Sequence, residues 1–186
     1  MSTALHLTVE EFDRMVGCGA FDHLKKKIEL YRGELREMNP AGPLHDGLII
    51  YLTNWSVLAA AKCGLLVTSQ TGLNLAELES RPEPDLMWLT NDRYRRRHPG
   101  AVNVKLAIEV AHSSLEFDMG EKVALYAEAN IAEYWVVDAA GSCIHVYRHP
   151  QNGQYTEHAI AKCGQKIAPL SAPDAELDLD DLFASE

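Results

Sequence analysis

The sequence predicts an α/β domain of the mixed α+β type, with a central sheet flanked by helices. Two segments, 43–62 and 115–129, carry apolar residues every three or four positions, as a helix with one buried face does. The run VKLAIEV at 104–110 is almost continuously apolar, which is typical of a strand covered on both faces. With 186 residues, 47% of them hydrophobic, one domain over residues 1–186 is expected.

The N-terminal half predicts a short helix, a hairpin and a long helix. Thr8 and Glu11 have capping-box spacing, which predicts a helix over TVEEFDRMV. Two short strands around Arg32-Gly33 predict a hairpin in KKKIELYRGELREM. The helical rhythm of 43–62 predicts a long helix that ends at Gly64.

The second half predicts strands on either side of one further helix. LLVTSQTGLNLAEL reads as a strand with a glycine interruption, and PDLMWL at 84–89 as a strand that begins at proline. The arginine-rich segment up to Gly100 is expected to be a loop, and 104–110 the central strand. After the helix that reaches about Ala129, three strands are expected in EYWVV, CIHVYR and QYTEHAIA.

The composition limits the classes of function. A net charge of -10 argues against broad electrostatic binding of nucleic acid, although 25–27 and 92–98 are locally basic. No apolar run approaches the roughly 20 residues of a membrane span, and the N-terminus lacks a signal-peptide pattern. We therefore expect a cytoplasmic protein without a membrane partner. The four cysteines form no CxxC pair and no convincing zinc cluster with histidine, so we expect reduced, mostly structural thiols.

Glu109 and Lys122 are charges at positions where apolar residues are expected. Glu109 is the only ionisable residue between Leu106 and Ala111, and a buried carboxylate is costly unless it is paired or binds a metal. Lys122 shares the apolar stripe of the second helix. The alternatives are that Glu109 is solvated at a strand end or pairs with a lysine, and that Lys122 extends to the edge of its face.

Asp85 supplies a second acid directly before the apolar run LMWL. Alone, Pro84-Asp85 is more simply the start of a strand. Together with Glu109 it could hold a hard cation, because Mg²⁺ is commonly bound by one or two carboxylates plus water.

Five segments in chain order resemble the Uma-type family of putative restriction endonucleases, in the PD-(D/E)XK nuclease superfamily. They are IELYRGELREM, PEPDLMWL, LAIEVAHSS, FDMGEKVALYAEANIAEYWVVD and VYR. The lysine of the superfamily motif has here moved from the strand to the next helix. The likeness runs from about Thr8 to Phe183, and GEKVALYAEANIAEYW is its most specific part.

The resemblance implies a restriction-endonuclease-like fold and a metal-dependent endonuclease that hydrolyses phosphodiester bonds of DNA. Asp85 and Glu109 would coordinate Mg²⁺ or Mn²⁺ with the carbonyl of Val110, and Glu29 would act through water or help to hold a second ion. Lys122 would orient the attacking water and offset charge on the scissile phosphate. Taken alone, Glu29 is equally well a solvent-facing strand residue. RNA as the substrate and a homodimer as the assembly are left open.

Other polar residues have weaker arguments. His45 could touch a phosphate, although a single histidine on a helix is more often structural. Ser113 and Ser114 are expected to cap the second helix rather than to act as nucleophiles. Four arginines could grip the nucleic-acid backbone or simply form a solvated loop: Arg93, Arg95, Arg96 and Arg97.

Three functions therefore remain open at the level of sequence. The first is the DNA endonuclease. The second is a catalytically inactive nuclease fold that binds nucleic acid or another partner. The third is a structural or interaction protein whose acids are ordinary charges.

Overall fold

The N-terminal part of the chain forms the predicted helix, hairpin and long helix. The computed structural model describes residues 5–38 and 42–184. Helix α1 (Val9–Gly17) begins at the capping box of Thr8 and Glu11. Strands β1 (Ile28–Tyr31) and β2 (Glu34–Glu37) pair as an antiparallel hairpin through Arg32 and Gly33, which both have positive φ. Helix α2 (Pro43–Lys62) follows with the predicted bounds.

A six-stranded mixed sheet forms the centre of the fold, with strand order β3-β4-β5-β6-β7-β8. The pair β5 and β6 is parallel, and every other neighbouring pair is antiparallel. The apolar run of 104–110 lies in β5, which has a strand on each side, as predicted. The bounds of the strands are β3 (Leu66–Ser69), β4 (Leu86–Leu89), β5 (Val104–Ala111), β6 (Glu133–Asp138), β7 (Cys143–Gln151) and β8 (Gln154–Lys162).

Helices cover both faces of this sheet. Helices α3 (Leu115–Met119) and α4 (Glu121–Glu128) connect β5 to β6, which is the helical crossover that a parallel pair needs. Leu52 of α2 packs with Ile108 and Trp135 on one face, whereas Leu125 of α4 packs with Ala107 on the other. Strands β9 (Lys166–Ile167) and β10 (Leu177–Asp178) and helix α5 (Leu179–Leu182) complete the chain. The predicted α/β class is confirmed.

Two predicted elements differ from the structure. The strand expected over 65–78 stops at Ser69, because Gln70 takes a positive φ of 46°, and residues 76–78 form a 3-10 turn. The helix expected to run to Ala129 is split at Gly120. A Cβ atom at Gly120 would lie 2.8 Å from the carbonyl oxygen of Glu116, so the break requires glycine.

Candidate active site

A cleft of about 900 Å³ opens where the end of β5 meets the start of β4. All the residues that the sequence assigned to a metal site or to catalysis line it: Glu29, Asp85, Glu109, Val110 and Lys122. His45 of α2 also lines the cleft. The structure thus brings together residues spread over most of the chain, from the first hairpin to α4.

The antiparallel pairing of β4 and β5 places Asp85 beside Glu109. Leu86 lies opposite Ile108, so the residue before Leu86 comes alongside the residue after Ile108. The backbone N–H of Asp85 donates to Oε2 of Glu109 at 3.3 Å, and the N–H of Val110 donates to Oδ2 of Asp85 at 2.8 Å. Each carboxylate is therefore held by a backbone amide of the neighbouring strand.

Lys122 reaches Glu109 from α4. Its Nζ donates to Oε1 of Glu109 at 2.8 Å, and the hydroxyl of Tyr126 donates to the same oxygen at 3.0 Å. Only 3% of Lys122 and 3% of Glu109 are exposed. The alternatives of a solvated Glu109 and of a lysine that extends to the edge of its helix face are wrong. The structure shows the remaining alternative, in which Glu109 pairs with a lysine.

Glu29 is buried too, because the β1–β2 hairpin docks on the segment that leads into β4. The N–H of Arg81 donates to the carbonyl of Leu30 at 2.8 Å, and the N–H of Glu83 donates to Oε1 of Glu29 at 2.6 Å. With 3% exposure, Glu29 is not the solvent-facing strand residue considered from the sequence. Tyr31 joins the hairpin to α4, since its hydroxyl donates to the carbonyl of Glu121 at 2.7 Å.

Negative charge exceeds positive charge at the floor of the cleft. Four buried carboxyl groups face the single buried lysine there: Glu29, Asp85, Glu109 and Asp118. Burial raises the pKa of Glu109 well above its usual range, Lys122 opposes this rise, and the other three acids add to it. A bound cation would offset this repulsion.

The donor set fits a hard divalent cation. It consists of carboxylate oxygens and the Val110 backbone, and oxygen ligands suit Mg²⁺ and Mn²⁺. Within residues 5–38 and 42–184, Oδ1 of Asp85 and Oε2 of Glu29 accept no hydrogen bond. The oxygens of Glu29, Asp85 and Glu109 do not all lie within 4.8 Å of one another. Glu29 would therefore act through water, and Mg²⁺ usually keeps several waters.

Asp118 is a site residue that the sequence argument missed. One carboxylate oxygen lies 3.5 Å from Nζ of Lys122, and the other accepts from the hydroxyl of Ser114. Ser114 occupies the N-cap position of α3 but makes no side-chain cap bond, so the predicted capping role is corrected to a bond with Asp118. The spacing of Asp118 and Lys122, four residues apart, was the available signal.

The other residues proposed from the sequence lie in two places, His45 in the cleft and the four arginines in the 92–98 loop. Nε2 of His45 lies 3.4 Å from Oδ2 of Asp85, and this contact raises the pKa of the imidazole, so the charged form is favoured. The four arginines of the 92–98 loop are exposed and do not line the cleft. Arg97 pairs with Asp92 in that loop. Besides Lys122, the lysine and arginine residues that line the cleft are Lys25, Lys26, Lys27 and Arg36.

Comparison with known proteins decides the family. The family model described as "Uma2: Putative restriction endonuclease" matches residues 9–180. The chain belongs to the Uma2 family. The family implied by the sequence motifs is thereby confirmed. No match is found among curated proteins.

A solved structure supports the same fold as the Uma2 family match. It is the crystal structure of a protein described as "a putative nuclease belonging to DUF820" from Anabaena variabilis ATCC 29413. The two chains are 14% identical and superpose with a TM-score of 0.74, over 96% of this chain and 98% of the other. The two proteins therefore share the mixed α/β fold with its central sheet. Among the described residues of this Uma2 family member, no helix is long and apolar enough to cross a membrane.

The Tyr126 hydroxyl should contribute measurably to the stability of this Uma2 family site. Tyr126→Phe keeps the buried ring and removes the donor to Oε1 of Glu109. A hydrogen bond to a charged group contributes about 1.5–3 kcal/mol, so the free energy of unfolding in urea should fall by about that amount. Tyr147→Phe is the matched control, because the Tyr147 hydroxyl makes no hydrogen bond to a described residue. Equal losses in both variants would contradict the assigned role of Tyr126.

Proposed function

We propose that the protein is a metal-dependent endonuclease that hydrolyses phosphodiester bonds of DNA. The observation that carries this proposal is the contact between Lys122 and Glu109, beside Asp85, on the floor of an open cleft. Ordinary structural ion pairs do not need a third and a fourth buried acid. A surplus of buried carboxylates around one lysine is costly without a cation and useful with one.

Asp85, Glu109 and the Val110 carbonyl would hold Mg²⁺ or Mn²⁺, with Glu29 placed to bind a metal-coordinated water. Bound there, the metal would polarise a phosphoryl oxygen and supply hydroxide near neutral pH. The backbone amides of Asp85 and Val110 fix the two carboxylates, so neither has to be ordered when substrate binds.

Lys122 is proposed to act on the water and on the phosphate. Its ammonium has three protons, and Glu109 at 2.8 Å and Asp118 at 3.5 Å orient the group. The remaining donor capacity can hold the attacking water and offset charge that develops on the scissile phosphate. Asp118 is a positioning residue in this scheme, since it acts through Lys122.

A basic mouth of the cleft is proposed to bind the DNA backbone. Lys25, Lys26 and Lys27 line the cleft just before β1. Lys26 pairs with Glu37 at 2.8 Å, and Lys27 donates to Gln70 at 2.8 Å, so both ammonium groups are held at the rim. The arginines of the 92–98 loop would contact the backbone of a longer substrate outside the cleft. RNA would use the same phosphate contacts, so it is tested beside DNA.

A homodimer is proposed from the number of candidate sites in each chain. In the part of the chain that the structure describes, the acids and the lysine form one cluster in the cleft, and one such site would hydrolyse one phosphodiester bond at a time. Cutting both strands of a duplex in one encounter requires a second site, which a homodimer would supply. Sedimentation of the protein with and without duplex DNA tests this step separately from cleavage.

The test of the proposed function is nuclease activity in the presence of a divalent cation. Purified protein is incubated with supercoiled plasmid, single-stranded DNA and single-stranded RNA, with MgCl₂, MnCl₂ or EDTA. We expect cleavage of DNA with either metal and none with EDTA. Intact substrates under every condition would overturn the endonuclease proposal, and salt-dependent binding without turnover would favour the inactive binding module.

Phosphate contacts at the lysine rim should set the salt dependence of DNA binding. The slope of log K against log salt is negative, and each lost phosphate contact lowers its magnitude by about 0.9 for duplex DNA. In an Asp85→Asn background, Lys25→Ala/Lys26→Ala/Lys27→Ala should therefore reduce the slope by about 2–3 in a fluorescence-anisotropy titration. The variant for comparison is Arg93→Ala/Arg95→Ala/Arg96→Ala, which removes three exposed charges outside the cleft and, on a short duplex, should change the slope less. A larger loss in the arginine variant would contradict binding through the lysine rim.

A further inference from the structure

A second group of potential metal ligands lies at the turn between β6 and β7, outside the cleft. Asp138 ends β6, Cys143 begins β7, and the two residues are paired in the antiparallel register. His145 follows two positions later, so it shares a face of the strand with Cys143. One ligand atom from each of the three lies within 4.8 Å of the others, and within the described residues no other group of three meets this distance.

This group corrects the expectation that no cysteine clusters with a histidine. The Cys-x-His spacing on a strand is unlike the usual zinc-ligand patterns, but it puts both side chains on one face. The third ligand comes from the opposite strand of the hairpin, which spacing along the chain does not reveal.

The distances fit a tetrahedral ion. Sγ of Cys143 and Nε2 of His145 are 3.8 Å apart. A tetrahedral zinc ion with Zn–S and Zn–N bonds of about 2.3 and 2.05 Å holds these two atoms about 3.6 Å apart. Only a small adjustment is therefore needed for both to bind the same ion.

Neighbouring groups already orient two of the ligands. Nδ1 of His145 lies 3.2 Å from Nε2 of His158, so an Nδ1–H that donates to His158 leaves the Nε2 lone pair facing Cys143. Metal-binding histidines usually donate their other ring N–H in this way. One Asp138 oxygen accepts from the N–H groups of Ala140 at 3.1 Å and Gly141 at 2.8 Å, which fixes the carboxylate.

The chemistry of the three donors selects a different metal from that of the cleft. A thiolate, an imidazole and a carboxylate suit zinc, whereas the cleft offers oxygen alone. Cys143 and His145 are largely buried, and a dication would balance one thiolate and one carboxylate. Lys162, the register partner of Cys143 on β8, is a positive charge close to this group, but its side chain is exposed and can turn to solvent.

We propose that Asp138, Cys143 and His145 bind Zn²⁺ in a three-ligand site that is separate from the nuclease cleft. On binding, the Cys143 thiol releases its proton to solvent and its sulfur joins the metal. Water or an external ligand occupies the fourth position. The ion links the end of β6 to the start of β7 and so stabilises the edge of the sheet that β7 and β8 form.

Cobalt spectroscopy tests this site without interference from the cleft. Co²⁺ in place of Zn²⁺ gives a thiolate-to-metal charge-transfer band only where a cysteine is a ligand, and no cysteine lines the cleft. Co²⁺ is titrated into metal-free, reduced full-length protein, and Zn²⁺ is then added. We expect a saturable band near one equivalent, intense tetrahedral visible absorption, and loss of both on addition of Zn²⁺.

Variants test whether Cys143 is the source of the charge-transfer band. Cys143→Ser should abolish it, and His158→Phe should weaken Co²⁺ binding by about tenfold because it removes the partner of His145. Cys63→Ser and Asp85→Asn should leave it unchanged, since Cys63 is exposed elsewhere and Asp85 belongs to the cleft. A wild-type protein without the band overturns the proposal, with the Cys143–His145 contact then a simple hydrogen bond. A band that persists in folded Cys143→Ser protein also overturns it.

Discussion

Asp85→Asn and Glu109→Gln should each lower the rate of DNA cleavage by about a thousandfold or more, which corresponds to about 4 kcal/mol of transition-state stabilisation. Both substitutions keep the shape of the side chain and remove the charge of a proposed metal ligand. Mn²⁺ binding at the cleft, measured by calorimetry, should weaken in parallel. Asp174→Asn is the matched control, because Asp174 is exposed and does not line the cleft.

Asp85→Asn should not lose stability in buffer without metal, whereas Glu109→Gln also removes the ion-pair partner of Lys122. Glu109 has a raised pKa because it is buried and lies near Asp85, Asp118 and Glu29, so removal of one negative charge from the group relieves repulsion. An amide oxygen at residue 85 can still accept from the N–H of Val110. Urea unfolding should therefore give an equal or higher free energy for Asp85→Asn. Full cleavage by either variant would contradict the assignment of the two acids.

Lys122→Met should combine a large loss of stability with a loss of activity. The substitution leaves Glu109 and Asp118 buried without their ammonium partner, and breaking one side of a buried ion pair typically costs about 3–5 kcal/mol. The rate of cleavage should fall by about a hundredfold to a thousandfold, because the donor for water and phosphate is gone. Lys62→Met, at an exposed position on α2, should change neither quantity.

A second substitution separates folding from catalysis at Lys122. Lys122→Met/Glu109→Gln removes both partners of the pair, so much of the lost stability should return while cleavage stays absent. Mn²⁺ should still bind to folded Lys122→Met, since the proposed ligands Asp85 and Glu109 remain. Loss of Mn²⁺ binding together with activity in the folded single variant would make Lys122 part of the metal site rather than a group that acts on water.

The sequence predicts the features of this fold that depend on local patterns. The burial of β5, complete except at Lys105, and the capping box of α1 follow from short stretches of chain, and both are observed. Glu109 stood out because it interrupts an apolar strand, and Lys122 because it lies on an apolar stripe. The structure brings them into contact, whereas their roles in metal binding and catalysis are predictions.

The features that were not predicted from the sequence depend on contacts between separate segments of the chain. The break at Gly120 reflects a close approach to the carbonyl of Glu116, which periodicity does not register. The burial of Glu29 comes from the docking of a hairpin on the segment before β4. The cluster of Cys143 and His145 needs a third ligand from another strand.

The most direct test of the central claim is a crystal structure of the protein soaked in Mn²⁺, with anomalous diffraction used to locate the ion. We predict an anomalous peak in the cleft, about 2.1 Å from carboxylate oxygens of both Asp85 and Glu109, with Nζ of Lys122 still in contact with Glu109. A fully soaked crystal with no peak between Asp85 and Glu109, or with manganese bound only at other residues, would contradict the account.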